Sequence, residues 1–169
     1  MRILGIDPGS HITGYGVVDA DKGKLRHVCD GSIVTGSKNP LTLRLNSIFD
    51  NIQKVISEFK PDGVVIEEIF YAKNARSAIM LGHARGVAIL CAGQHGLPVF
   101  EYSPMKIKQA VVGYGNATKE QVQKMVKVLL KINSIPKPDA SDALAAAICH
   151  IHHHKINFKS QISNLKLRT

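Results

Sequence analysis

Two short apolar runs in this chain each end on an acid. Asp7 closes Ile3-Leu4-Gly5-Ile6, and Glu67 closes Val64-Val65-Ile66. Runs of this kind read as fully buried strands, so a carboxylate at either tip loses much of its hydration unless a cation meets it. Asp139 and Asp142 open an alanine-rich helix near the other end of the sequence. If the fold gathers these four acids they repel one another, and divalent metal ions are what makes such a cluster tolerable and useful. Each acid also has a plainer reading. Asp7-Pro8-Gly9 makes an effective turn, and Glu67 can be a solvated strand end. Alternation sends Glu68 to the opposite face, so at most one of the two neighbours joins Asp7. Capping of free helix N–H groups is the ordinary role for the Asp139/Asp142 pair taken alone.

The length of 169 residues suits one domain with its own core. Lys and Arg total 22 against 13 Asp and Glu, for a net charge of +9, and an excess of that size points first to polyanionic partners. Cys29, Cys91 and Cys149 are odd in number, widely spaced and without a CxxC pair. That pattern argues against zinc and against a disulfide framework, and fits reduced, buried thiols. The N-terminus lacks the pattern of a signal peptide and no apolar run reaches a membrane span, so a cytoplasmic protein without a membrane partner is expected.

Strands are expected at Ile3 to Asp7, Tyr15 to Asp19 and around Ser32 to Val34, joined by connections short enough to make the three antiparallel. Leu41, Leu45, Ile48, Ile52, Val55, Ile56 and Phe59 then recur at helical spacing, and Pro61-Asp62-Gly63 stops them. Val64 to Glu67 follows as a strand parallel to the first. A second helix is expected over Asn74 to Gly93, a fifth strand over Pro98 to Tyr102, and a short helix opened by Ser103-Pro104. Thr118 and Gln121 form a capping box for the next helix, and Pro136 and Pro138 precede a last helix from Asp139 to about His153. This order predicts an α/β fold with a mixed five-stranded sheet flanked by helices. It divides the chain into a domain over 1–154 and a basic tail over 155–169, read as flexible.

Among the basic residues, Lys73, Arg76, Lys106 and Lys108 are candidates for phosphate contacts along a DNA path, and each is equally well a solvated surface charge. Lys119 stands in the first turn of a helix, where a cation is mildly unfavourable. Phe70 and Tyr71 follow the Glu67 strand in a chain that is 5% aromatic; the ring of Phe70 suits stacking on unpaired bases, while Tyr71 reads as core. His150, His152, His153 and His154 read as an exposed helix end more readily than as a metal site.

Several segments, in order, resemble the RuvC family of Holliday-junction resolvases. They are Gly5-Ile6-Asp7-Pro8-Gly9-Ser10 with Thr13-Gly14-Tyr15-Gly16, Ile66-Glu67 with Phe70-Tyr71-Ala72-Lys73-Asn74, Gly82-His83-Ala84-Arg85-Gly86, Val111-Val112-Gly113-Tyr114-Gly115, and Asp139-Ala140-Ser141-Asp142-Ala143. The resemblance implies a ribonuclease H-like fold, a bacterial cytoplasmic homodimer, and Mg²⁺-dependent cutting of four-way DNA junctions by paired nicks. It implies two Mg²⁺ per subunit, with Mn²⁺ able to substitute, held by Asp7, Glu67, Asp139 and Asp142. It further implies that Phe70 stacks near the crossover, that Lys108 and Lys119 lie close to the scissile phosphate, and that a branch-migration motor of the RuvAB type is a partner. Two other classes fit the residues less fully. Asp-x-Gly turns hold phosphate in actin-like ATPases and kinases, but those need two such domains. A junction-binding module without catalysis has no use for four acids.

Overall fold

The computed structural model describes residues 1–68 and 75–166, with side chains described through His154. The elements are β1 (Arg2–Asp7), β2 (Ile12–Asp21), β3 (Lys24–Val34), α1 (Leu41–Phe59), β4 (Gly63–Glu67), α2 (Ala75–Gln94), β5 (Val99–Tyr102), α3 (Pro104–Val112), α4 (Lys119–Leu130) and α5 (Pro138–Lys166). The five strands form one mixed sheet in the order β3-β2-β1-β4-β5. β1, β2 and β3 pair antiparallel, and β4 and β5 add on in parallel. The expected α/β architecture and strand pairing are therefore present.

β2 and β3 are longer than the apolar pattern suggests. They meet in a two-residue turn, Lys22-Gly23, where both residues have positive φ (44° and 86°), the geometry that suits a tight hairpin. The outer part of β3 carries Lys24, Arg26, His27 and Asp30 because it is an edge strand, so it lacks the apolar alternation that marks a strand. Cys29 sits on that edge and is half-buried, whereas Cys91 and Cys149 are buried. α5 continues to Lys166, past the expected end near His153; no Gly or Pro stands between Ala140 and Lys166 to stop it.

Each face of the sheet carries its own core. Leu4, Ile6, Val64 and Ile66 point to α1 and α2, packing with Ile48, Ile52, Ala84 and Ala88. Ile3 and Val65 point the other way, to α3, α4 and α5, with Val126, Leu144 and Ile148. Period-two alternation then assigns Gly5, Asp7 and Glu67 to the α5 face.

The glycines on that face decide how close α5 comes. A Cβ on Gly5 would stand 1.9 Å from the Ala143 carbonyl oxygen, one on Gly14 would stand 2.0 Å from that of Asp139, and one on Gly16 would meet the Leu144 side chain at 2.6 Å. The helix backbone thus rests directly on β1 and β2. Small residues on the helix itself, Ala140, Ala143 and Ala147, complete the contact and are fully buried. Because backbone atoms cannot step aside as a flexible side chain can, Gly14→Ala is expected to displace the start of α5. The predicted loss is about 3 kcal/mol of stability, in the range of severe overpacking. Chemical denaturation checks this, and an unchanged midpoint would show that the helix end is not so closely seated.

Candidate active site

The strand register brings the first two acids together. Parallel pairing of β1 with β4 ends at Ile6↔Ile66, so the next residues, Asp7 and Glu67, leave neighbouring strands side by side on the α5 face. α5 arrives over the same sheet edge, seated on Gly14, which is itself paired with Asp7. Asp7, Glu67 and Asp142 line a single cleft of 210 Å³, with Lys108 and Lys119 as its cations and Pro104, Ile107, Val122 and Ala145 as its apolar walls. At about 30 Å³ per water this space holds several waters or hydrated ions and no nucleoside.

Asp139 does not line the cleft, although its charge is felt at Asp7. It occupies the first turn of α5, half-buried. The helix begins before it: the Ser141 N–H donates to the Lys137 carbonyl at 2.8 Å, which puts Lys137, not Asp139, at the capping position. The Asp139 carboxylate accepts no hydrogen bond among the described residues, so the capping role that its sequence context suggests is not the one it fills.

The electrostatics of the cleft are those of crowded anions. The Asp7 carboxyl is pushed up to about 7, first by burial and then by Glu67 and Asp142, with Lys119 pulling the other way. Glu67 is raised by burial and then by Asp142, against Lys119 and Lys108. Lys119 donates from Nζ to Asp142 Oδ2 at 3.1 Å, and its ammonium is held above its usual range by that bond and by Asp142, Asp7 and Glu67. Among the described residues no three His, Cys, Asp or Glu groups converge on one point. The acids share a cleft without closing on a common centre, as mutual repulsion and the intervening ammonium dictate.

The basic residues singled out in the sequence separate into groups. Lys108, from α3, and Lys119, from α4, reach the cleft. Lys106 is exposed and does not line it. Arg76 is exposed near the start of α2. Phe70, Tyr71 and Lys73 lie outside the described residues. The histidine cluster is not the exposed helix end that its polarity suggests. His150 is buried, with its ring 4.1 Å from that of Phe100 and its Nδ1 3.0 Å from the Tyr102 hydroxyl. Burial first, and the neighbouring His154 and His153 next, lower it to about 4, so it is a neutral core residue. Sequence reasoning missed it because β5, the strand that covers it, is distant in the chain.

Crowding at Asp7 has a consequence for stability. Its folded-state value lies above the unfolded one of 3.8, so between about pH 4 and 7 the native state binds a proton that the unfolded chain does not. Native stability therefore falls as pH rises through this window and levels off above it. In EDTA, Asp7→Asn is expected to flatten that slope and to be more stable than wild type at pH 8, on the order of 2 kcal/mol. Melting curves from pH 5 to 8 check this, and parallel curves for the two proteins would contradict it.

The model of the family described as crossover junction endodeoxyribonuclease RuvC matches residues 3–150. A protein of that name from Syntrophotalea carbinolica is 55% identical over 157 residues, covering 93% of this chain and 98% of its own. Another, from Geobacter sulfurreducens, is 54% identical over 150 residues, covering 89% and 92%. Among solved structures, Thermus thermophilus RuvC in complex with a Holliday junction substrate superposes with a TM-score of 0.88 at 34% identity, over 93% of this chain and 96% of that one. The yeast mitochondrial Holliday junction resolvase Ydc2 shares the fold at 14% identity, with a TM-score of 0.63 over 95% and 85%. With nearly its whole length matched by the family model and by these relatives, the chain belongs to the RuvC family of crossover junction endodeoxyribonucleases.

Proposed function

We propose that this protein is a structure-selective endonuclease that resolves four-way DNA junctions by paired nicks, leaving 5′-phosphate and 3′-hydroxyl ends. The observation that carries the reading is the cleft in which Asp7, Glu67 and Asp142 are drawn together, with two lysines on its rim. A carboxyl raised to about 7, by burial first and then by its acidic neighbours, marks a site short of positive charge. Hard carboxylate oxygens suit Mg²⁺, with Mn²⁺ as a substitute, and a shared set of four acids suits two ions. Asp7, Glu67 and Asp142 would hold them, with Asp139 from the next position on the same helix face. When bound, two such ions supply an activated water and charge stabilisation at the leaving oxygen.

The chain's own groups do the rest. Asp7 must be ionised to serve as a ligand, so its proton competes with the metal, and the Mg²⁺ concentration needed for cutting should fall as pH rises toward and past about 7. Lys119, released from Asp142, is placed to stabilise the extra negative charge of the phosphate in the transition state. Lys108 on α3 steadies the same strand from the other wall. Ile107, Val122 and Ala145 keep part of the cleft dry, which strengthens each of these charges.

Paired nicks need two copies. α2 presents Ile79 and Leu90 to solvent, 60% and 57% exposed, and a Cβ on Gly82, Gly86 or Gly93 would meet nothing within 4 Å. An apolar, small-residue helix face of this kind supports a homodimer built on α2. The net charge of +9 supports DNA as the partner. Phe70, Lys73, Arg76 and Lys106 are proposed contacts outside the cleft, and a branch-migration motor of the RuvAB type is the proposed source of the junction. The proposed division is a nuclease domain over 1–154 and a basic tail over 155–169. Among the described residues no helix is long and apolar enough to cross a membrane, in keeping with action on chromosomal DNA in a bacterial cytoplasm.

The test is a synthetic four-way junction offered to wild type and to Asp7→Asn. Mg²⁺-dependent cutting is expected to fall by at least about 1,000-fold, on the scale of losing a main electrostatic contributor, while binding in EDTA persists. Binding that disappears along with cutting would make Asp7 a structural residue. Intact cutting would remove the acids from the mechanism.

A further inference from the structure

Hydrogen-bond accounting at the turn between β1 and β2 leaves two donors over. The Gly9 carbonyl accepts from the Thr13 hydroxyl at 2.9 Å. The Ser10 carbonyl accepts from Arg44 Nε at 2.9 Å, from Arg44 Nη2, and from the Thr35 hydroxyl at 3.1 Å. The His11 carbonyl accepts from the Thr35 N–H at 3.0 Å and from its hydroxyl at 3.2 Å. Three successive carbonyls are thus drawn into the protein. Among the described residues every peptide bond is trans, and in a planar trans peptide the N–H points opposite to the carbonyl of the preceding residue. The amides of Ser10 and His11 therefore face away from the core. Among the described residues neither donates to any protein acceptor. Ser10 is half-buried and His11 exposed, so the turn lies at the protein surface.

A second observation lies behind the turn. Arg44, in the first turn of α1, is only 7% exposed, yet among the described residues it forms no ion pair with a carboxylate. Buried guanidinium groups are nearly always paired with an anion, and carbonyl oxygens compensate only part of the charge. The turn is held rigid from inside by a cation and two hydroxyls, and it presents free N–H groups outside. Successive amides in that arrangement make a concavity that favours anions.

We propose that the Gly9–His11 turn is a phosphate seat: the amides of Ser10 and His11 receive a backbone phosphate of the DNA strand entering the acidic cleft. Arg44 is the positioning residue that aims them and supplies the missing positive charge. The placement fits the chemistry. Ser10 follows Asp7 by three residues, so the turn continues directly from the strand end that delivers Asp7 to the cleft. Backbone amides are frequent phosphate donors that fix register without reading sequence. The inference rests on the proposed reading of junction DNA as substrate, and it adds a contact that uses no cleft lysine.

The test is amide-resolved NMR on the whole ¹⁵N-labelled protein in EDTA, titrated with a synthetic four-way junction. The Ser10 and His11 amide protons are expected to move downfield together with the amides around Lys108 and Lys119. In Arg44→Met the Ser10 and His11 shifts should shrink while those around Lys108 persist, and junction affinity should fall by about tenfold, the scale of one charge-assisted contact. Shifts around Lys108 and Lys119 with Ser10 and His11 unmoved would overturn the phosphate seat while leaving the proposed function intact. No shift anywhere would overturn the DNA reading itself. Unchanged shifts and affinity in Arg44→Met would remove Arg44 from the proposal.

Discussion

A helix backbone lying directly on strand positions that have no side chains is the contact on which the rest of this structure depends. Gly5 and Gly14 let α5 approach β1 and β2 until its carbonyls occupy the space where a Cβ would be, and Gly16 leaves room for the Leu144 side chain. Nothing else could carry Asp142 to the mouth of the sheet where Asp7 and Glu67 emerge. Burial of Ala140, Ala143, Leu144 and Ala147 holds the helix there, at roughly 25 cal/mol for each Å² of apolar surface removed from water. That hydrophobic gain opposes the electrostatic cost of bringing like charges together. The cleft is thus a strained feature carried by a well-packed core, a common division of labour in active sites.

Electrostatics then determine what the cleft can accept. Three of its lining groups are acids, and burial raises the proton affinity of two of them. Lys119 partly relieves the excess by bonding Asp142, and Lys108 acts on Glu67, but two ammonium groups do not satisfy three carboxylates. The arrangement calls for further positive charge from outside the chain, and hard oxygen ligands narrow that to hard cations. The remaining surface carries a strong basic excess, so the same molecule attracts a polyanion globally and a cation locally. A metal-dependent nuclease needs both.

Much of this was legible in the sequence, for identifiable reasons. Asp7 and Glu67 stood out because a carboxylate at the tip of a buried strand has few ordinary explanations, and strand alternation correctly separated Glu67 from Glu68. The helices of α1 and α4 announced themselves through spacing and through the Thr118–Gln121 capping box, which forms as expected. What was hidden was whatever depends on partners distant in the chain. His150 reads as a polar residue at a helix end until β5 covers it with Phe100 and Tyr102. Nothing in the sequence marks Arg44, because the carbonyl it bonds belongs to the distant β1–β2 turn. The length of β3 escaped notice because edge strands do not need apolar alternation. Capping is the plainer of the two readings of Asp139, and it is not the role filled, because the helix starts at Pro138 with Lys137 as its cap.

Folding forces Asp7 into a buried cluster of acids. The most direct measurement is the titration of its side-chain carboxyl carbon by ¹³C NMR in the absence of divalent metal. The account predicts a midpoint near 7 in the wild type, moving down toward the ordinary carboxylate range when Asp142 or Glu67 is replaced by its amide. A wild-type midpoint near 4, unaffected by either replacement, would show that the acids do not share a site.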